Sequence, residues 1–236
     1  MTIAITLALA VGSVLLVVCG FAWAARREEV ALVRRIERLE VRPLADAVPG
    51  ELVAVRGRAG ASGAFEDPVG AEPALWVDAR LVARDRGEEL WSLTRGETLR
   101  LDDGSGREAI VELVGAEISI APRDVDEADR APSERMRALL AGSERAVPDA
   151  RPGARYAIEH RAIRPGDALG LVGVPSREGD ALRFTSADPL HLGPEPLDAL
   201  VARLRADLRA MDAMLKFGGA LGILLLAGGI ALVLAS

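Results

Sequence analysis

The chain has 236 residues, 50% of them apolar and 27% charged, with a formal net charge of −6. This composition supports a folded core, and it offers no general attraction for nucleic acid or anionic lipid, so either would need a local basic patch. A single cysteine, Cys19, excludes a disulfide framework and a thiolate zinc site in the polar middle of the chain.

Thr2 to Ala24 carries no charge. At helical rise it covers about 34 Å, enough for a hydrocarbon core of about 30 Å, and residues 1–25 are read as a first transmembrane helix. A cleaved signal peptide is the rival reading, because Ala22-Trp23-Ala24 resembles a cleavage site. Against it, no basic residue precedes the run, and the run exceeds the usual length of about 7 to 15 residues. Cys19 follows Val18 rather than a small residue, which favours an ordinary apolar side chain over a lipid-attachment site.

Val30, Val33, Ile36 and Leu39 recur at helical spacing, so residues 26–42 are expected as a helical stalk that ends at Pro43. From Glu51 the period changes to two. Strands are expected around Leu52–Gly57, Leu75–Val82, Leu99–Leu101, Ala109–Val114, Ile118–Ala121, Tyr156–Ile163, Ala168–Val174, Ala181–Thr185 and Leu190–Leu192. Short strands bounded by Gly, Pro or Asp have the rhythm of a small barrel or sandwich. Asp102-Asp103-Gly104-Ser105-Gly106 reads as a hairpin corner. The acidic stretch Asp124–Asp129 reads as a solvated linker, followed by a short helix with Ser133 as N-cap and Gly142 at its end, a helical insertion near 124–142. Leu197, Leu200, Val201, Leu204, Leu208, Met211 and Leu215 form the stripe of a second stalk over 197–216, and the uncharged run within 217–236 is a second transmembrane helix. The expectation is therefore an α+β membrane protein, with a β-rich domain at 43–196 between two spans and their stalks.

Basic residues lie on the inner flanks of both spans: Arg26, Arg27, Arg34, Arg35, Arg38 and Arg42 after the first, Arg203, Arg205, Arg209 and Lys216 before the second. The positive-inside rule then puts the domain in the cytoplasm and both termini outside. With Lys216 the only lysine, the composition is that of a GC-rich genome, and a bacterial inner membrane is the expected location. Small residues at Ala4, Ala8, Gly12, Gly218 and Gly222 allow close packing of the two spans, and would equally allow a homo-oligomer.

Pro49-Gly50-Glu51 with Val55 and Gly57, Asp67-Pro68-x-Gly70, Trp76, Trp91, Leu101 through Gly106, Tyr156-x-x-Glu159, Gly166-Asp167 and Val172-Gly173 follow one another in an order that resembles the "beside a membrane" or GIDE domain. That domain occurs in mitochondrial E3 ubiquitin ligases of the MULAN or MAPL type and in shorter bacterial proteins. The resemblance covers nearly the whole chain, including both spans. It implies a role in partner or substrate recognition near a membrane, and it marks Trp76, Trp91, Asp102, Asp103, Tyr156 and Glu159 as candidate partner-binding or family-motif residues. The ligases carry a RING domain after their second span; one cysteine and two histidines cannot supply its zinc ligands, so no RING is expected in these residues. The mitochondrial relatives hold the domain on the side corresponding to a bacterial exterior, opposite to the side the arginines indicate.

Chemistry of the chain's own is sparse. His160 follows Glu159, and neighbours on a strand point to opposite faces, which makes them a poor acid–base pair. Glu159 and Arg161 share a face and are placed to pair. His191 is expected on the polar surface of its strand. No nucleophile elbow, P-loop or H-E-x-x-H occurs. Asp102 and Asp103 are explained by the hairpin rather than by a cation, and Trp76 and Trp91 by packing rather than by ligand stacking. No catalytic residue, metal or cofactor is expected. The function expected is a membrane-anchored recognition or scaffolding module with a protein partner and no nucleic acid. The alternative is a subunit of a protein-modification or turnover enzyme, E3-ligase-like by family, whose catalytic partner acts in trans.

Overall fold

A computed structural model describes residues 2–70, 72–143 and 148–234. The fold is α+β, and the chain divides into two compact units, one formed by residues 1–39 with 196–236, the other by 40–195.

The first unit is a pair of helices, α1 (Thr2–Ile36) and α3 (Leu197–Leu234). Each is unbroken, about 52 and 57 Å long at 1.5 Å per residue, and long and apolar enough to cross a membrane. They run antiparallel. A Cβ built on Gly12 would lie 3.0 Å from the Gly222 carbonyl oxygen, and one on Gly222 3.2 Å from Leu16, so the glycines are what let the backbones approach. Beyond this contact the helices are joined by ion pairs: Arg26 Nη2 donates to Asp212 at 2.6 Å and Arg205 Nε to Glu37 at 2.7 Å. The guanidinium of Arg27 stacks 3.8 Å over the Trp23 ring. Of the small residues expected to allow close packing, Gly12, Gly218 and Gly222 are therefore used within the chain. Helix α1 ends at Ile36, short of Pro43.

The second unit begins as the backbone turns into a sheet, with Val41 bridging Ala54 and Arg42 N–H donating to Ala54 at 2.9 Å. It holds twelve strands among the described residues: β1 (Val53–Ala59), β2 (Trp76–Ala83), β3 (Glu88–Arg95), β4 (Thr98–Asp102), β5 (Glu108–Glu112), β6 (Glu117–Ile118), β7 (Arg123–Asp129), β8 (Arg155–Ile163), β9 (Ala168–Gly173), β10 (Pro175–Glu178), β11 (Ala181–Phe184) and β12 (His191–Gly193). One sheet has the order β10-β11-β5-β4-β1-β9-β12-β6, the other β3-β2-β8-β7. Both sheets are open, so the expected small barrel does not close. The strands that would have to meet, β10 and β6, are four and two residues long, and β10 is polar beyond Pro175.

Each sheet has its own core. Leu99, Leu101, Val111, Leu171, Leu182, Phe184 and Trp76 fill the first. The second lies on one face of the four-stranded sheet, where Leu81, Tyr156 and Ile158 meet helix α2 (Glu134–Ala141) through Met136 and Leu140. Ser133 caps α2 by accepting from Met136 N–H at 3.2 Å and donates to Asp126, and Gly142 follows its last turn, as the sequence predicts. The acidic stretch is a correction: 123–129 is not a linker but the edge strand β7. Its even positions Asp126 and Ala128 are half-buried toward α2, while its acids on the other face reach water and Arg84, so an edge strand of this kind needs few apolar residues.

Candidate functional site

The six residues singled out by sequence do not converge. Trp76, 5% exposed, belongs to the first core, whereas Trp91 is half-buried against the second. Asp102 and Asp103 turn the β4–β5 hairpin: Asp102 accepts from Gly104 N–H at 2.8 Å and Asp103 from Ser105 N–H at 2.9 Å. Asp103 also accepts from Leu44 N–H at 2.5 Å, so the hairpin tip clamps the 3-10 turn Leu44–Asp46. Burial acts to raise the Asp103 carboxyl, but hydrogen bonds from Ser105 and Leu44 outweigh it and hold it below the usual carboxylate range. Tyr156 is buried in the second core, and its hydroxyl makes no hydrogen bond among the described residues.

Glu159 points away from Tyr156, onto the polar face of the four-stranded sheet. There the expected pairing with Arg161 gives way to another. Arg161 Nε lies 3.3 Å from Asp78, its directly opposite neighbour on β2, and Thr94 Oγ1 donates to the same carboxylate at 3.3 Å. A residue directly across a ladder is closer than one two positions along the same strand, so Asp78 wins.

The ionisable pair that sequence reading missed is His160 with Asp67, 93 positions apart, Nε2 to Oδ2 2.8 Å, with side chains 5% and 0% exposed. Both parts follow from local structure. Pro68 and Gly70 shape a turn in which Asp67 accepts from Val69 N–H at 2.9 Å and also from Gly70 N–H. A Cβ at Gly70 would lie 2.2 Å from the Asp67 carboxylate, so glycine is required there. His160 shares the inner face of β8 with Tyr156 and Ile158, because positions two apart point the same way. Burial acts to raise the Asp67 carboxyl; the Gly70 and Val69 hydrogen bonds and the neighbouring His160 prevail and hold it below the ordinary value. The motif Asp67-Pro68-x-Gly70 was the available signal, since a carboxylate bound by its own turn leaves one oxygen to face a partner. His191 is a second correction. Expected at the surface, it is buried because β12 lies between β9 and β6, and its Nδ1 is 2.9 Å from Glu117, off the line of a hydrogen bond.

His160 also borders a cleft of about 530 Å³, lined by Arg123, Arg161, Arg164 and Asp167 among polar residues, with Val125 and Leu169 among apolar ones, and this cleft is the candidate site. Register creates it. Strand β7 pairs with β8 only as far as Arg123↔His160, whereas β8 continues beside β2 to Ile163. Along Arg161–Ile163 the outer side of β8 therefore has no strand, and the cleft occupies that space. Among the described residues no group of three or more His, Cys, Asp or Glu side chains is placed to hold a metal ion. No family model, curated protein or solved structure matches this chain.

Proposed function

We propose that this chain is a membrane-anchored recognition or scaffolding module, in which α1 and α3 span a bilayer as a hairpin and the unit at 40–195 meets a protein partner. The observation that carries the reading is the exposure of the helix pair. Phe21, Phe217 and Leu224 are 75%, 73% and 69% exposed, and only 6% of each apolar window is buried. Core helices of a water-soluble protein bury such residues, and an apolar surface of this extent requires lipid or a partner. Lipid suits it, because both helices are sheathed in Val, Leu, Ile and Phe over a bilayer's thickness. The inner-flank arginines favour a cytoplasmic domain in a bacterial inner membrane.

Recognition is supported by the resemblance to GIDE-type domains. Tethering would raise the domain's effective concentration toward membrane partners into the millimolar range by order of magnitude, without catalysis. Alkaline carbonate extraction tests the anchor, and a chain released into the soluble fraction would overturn it. A maleimide that cannot cross membranes, applied to Cys19→Ser protein carrying Ser105→Cys, reads the side: labelling only after lysis is expected. In-cell photocrosslinks from Glu159 to a discrete protein should weaken when both helices are deleted; crosslinks that persist unchanged would refute tethering.

A further inference from the structure

The cleft beside the end of β8 combines features that sequence position keeps apart. Arg123 comes from the start of β7, Arg161 and Arg164 from the end of β8 and the turn after it. Asp167 is the one acid among the residues lining the cleft, and it is occupied, accepting from Arg164 N–H at 2.8 Å. Arg161 Nε lies 3.3 Å from Asp78 and Arg164 Nε 2.8 Å from Glu72, the latter off the line of a hydrogen bond, and the Nη nitrogens of neither make a hydrogen bond among the described residues. Arg123 has no ion pair among the described residues. On a chain of net charge −6, three guanidiniums converge on one cleft; Asp78 and Glu72 neutralise two of them from outside its lining, and Arg123 keeps its charge unpaired among the described residues. Apart from His160 the remaining wall, including Val125 and Leu169, is apolar, and the volume falls in the range of about 300–1,000 Å³ usual for small-ligand sites.

We propose that this cleft binds an organic anion, a carboxylate or phosphate group carried on a small apolar body, with Arg123, Arg161 and Arg164 around the anion and Val125 and Leu169 against the body. Guanidinium is the group suited to this task, because its planar fork offers paired N–H donors to carboxylate and phosphate oxygens. A long acidic peptide is disfavoured, since Asp124, Asp126, Glu127 and Asp129 follow Arg123 on the same strand and would repel it. The anion is therefore compact, either a free organic acid or the carboxyl end of a partner chain. The site stands independently of how the chain is anchored.

The test uses the full chain in nanodiscs of zwitterionic lipid, with ligand-observed NMR titrations of benzoate, phenyl phosphate and uncharged benzyl alcohol. Saturable binding of at least one anion is expected, at least tenfold tighter than benzyl alcohol. Arg123→Gln and Arg164→Gln should each raise its Kd by about tenfold, the scale of one charge-assisted hydrogen bond. Arg123 is on an edge strand and exposed, so its substitution leaves the cores intact. Absence of saturable binding by both anions, or affinities unchanged in both variants, overturns the proposal. Displacement of the bound anion by N-acetyl-Val-Leu, but not by its C-terminal amide, assigns the ligand to a chain terminus; no displacement by either assigns it to a free organic acid. Either result supports the cleft's chemistry.

Discussion

Replacing Asp67 by Asn tests whether the buried carboxylate is held by the contacts described. Asp67 accepts from Val69 N–H, Gly70 N–H and His160 Nε2. Asparagine keeps one oxygen and turns an NH₂ toward either the Gly70 N–H or the imidazole, so at least one buried donor loses its acceptor and the charge vanishes for all three. Hydrogen bonds to charged groups contribute about 1.5–3 kcal/mol each, and an unmatched buried donor costs about 1–3 kcal/mol. Because the histidine can exchange tautomers to accept from the amide, part of this is recovered, and the expected loss is about 3 kcal/mol. The sign of the pH dependence follows from the depressed carboxyl. Its contribution is complete above the unfolded-state value of about 3.9 and is lost as pH falls through the lower folded value. The stability gap between wild type and Asp67→Asn should therefore be full near pH 6 and shrink below about pH 4. Urea unfolding of the full chain in nanodiscs measures it, followed by Trp76 and Trp91 fluorescence in a Trp23→Phe background, since both remaining tryptophans belong to the 40–195 unit. A gap below about 1 kcal/mol at pH 6, or one constant down to pH 3, would refute the account.

The helix hairpin offers a covalent readout. A Cβ at position 218 would sit 3.1 Å from Cys19 Sγ, close to the ~3.0 Å that an S–S bond of about 2.04 Å imposes between one Cβ and the far sulfur. Gly218→Cys should thus form an intramolecular bridge under mild oxidation, seen as a monomer of altered mobility on a non-reducing gel, and disulfide dimers in its place would refute the pairing of α1 with α3. At the β4–β5 hairpin, Asp103→Ala removes the acceptor of Leu44 and Ser105 N–H and should lower stability by about 1–2 kcal/mol by urea unfolding. Two glycines with positive φ separate conformational strain from collision. Gly50, at φ +85, has open space around its missing Cβ, and Gly50→Ala should cost about 1 kcal/mol. Gly96, at φ +108, would place a Cβ 2.3 Å from the Leu75 carbonyl oxygen, so Gly96→Ala should cost at least twice as much, and equal losses would show that the β3–β4 turn yields freely.

What the sequence disclosed and what it withheld divide along a physical line. The long helices are legible because a charge-free run and a 3.6-residue stripe are properties of one segment, and strands such as Trp76–Ala83 and Arg155–Ile163 are legible because they are rich in buried apolar residues that meet the two cores. The hairpin corner at Asp102–Gly106 is equally local, since its aspartates bond to amides two residues on. By contrast β3, β7 and β10 are sheet ends with mostly solvated side chains, and an edge strand needs only a neighbour's backbone to pair with. The candidate site lies wholly on the nonlocal side of that line. Asp67 announces its turn, but nothing near it in sequence announces His160. The cleft exists because β7 stops pairing at Arg123 while β8 continues for three more residues, and where one strand ends beside another is set by the whole sheet rather than by the residues at the gap. Arginines dispersed over 42 positions, from Arg123 to Arg164, thus become neighbours only through the pairing of β7 with β8, and a change that shifts that register should abolish the cleft even with every lining residue retained.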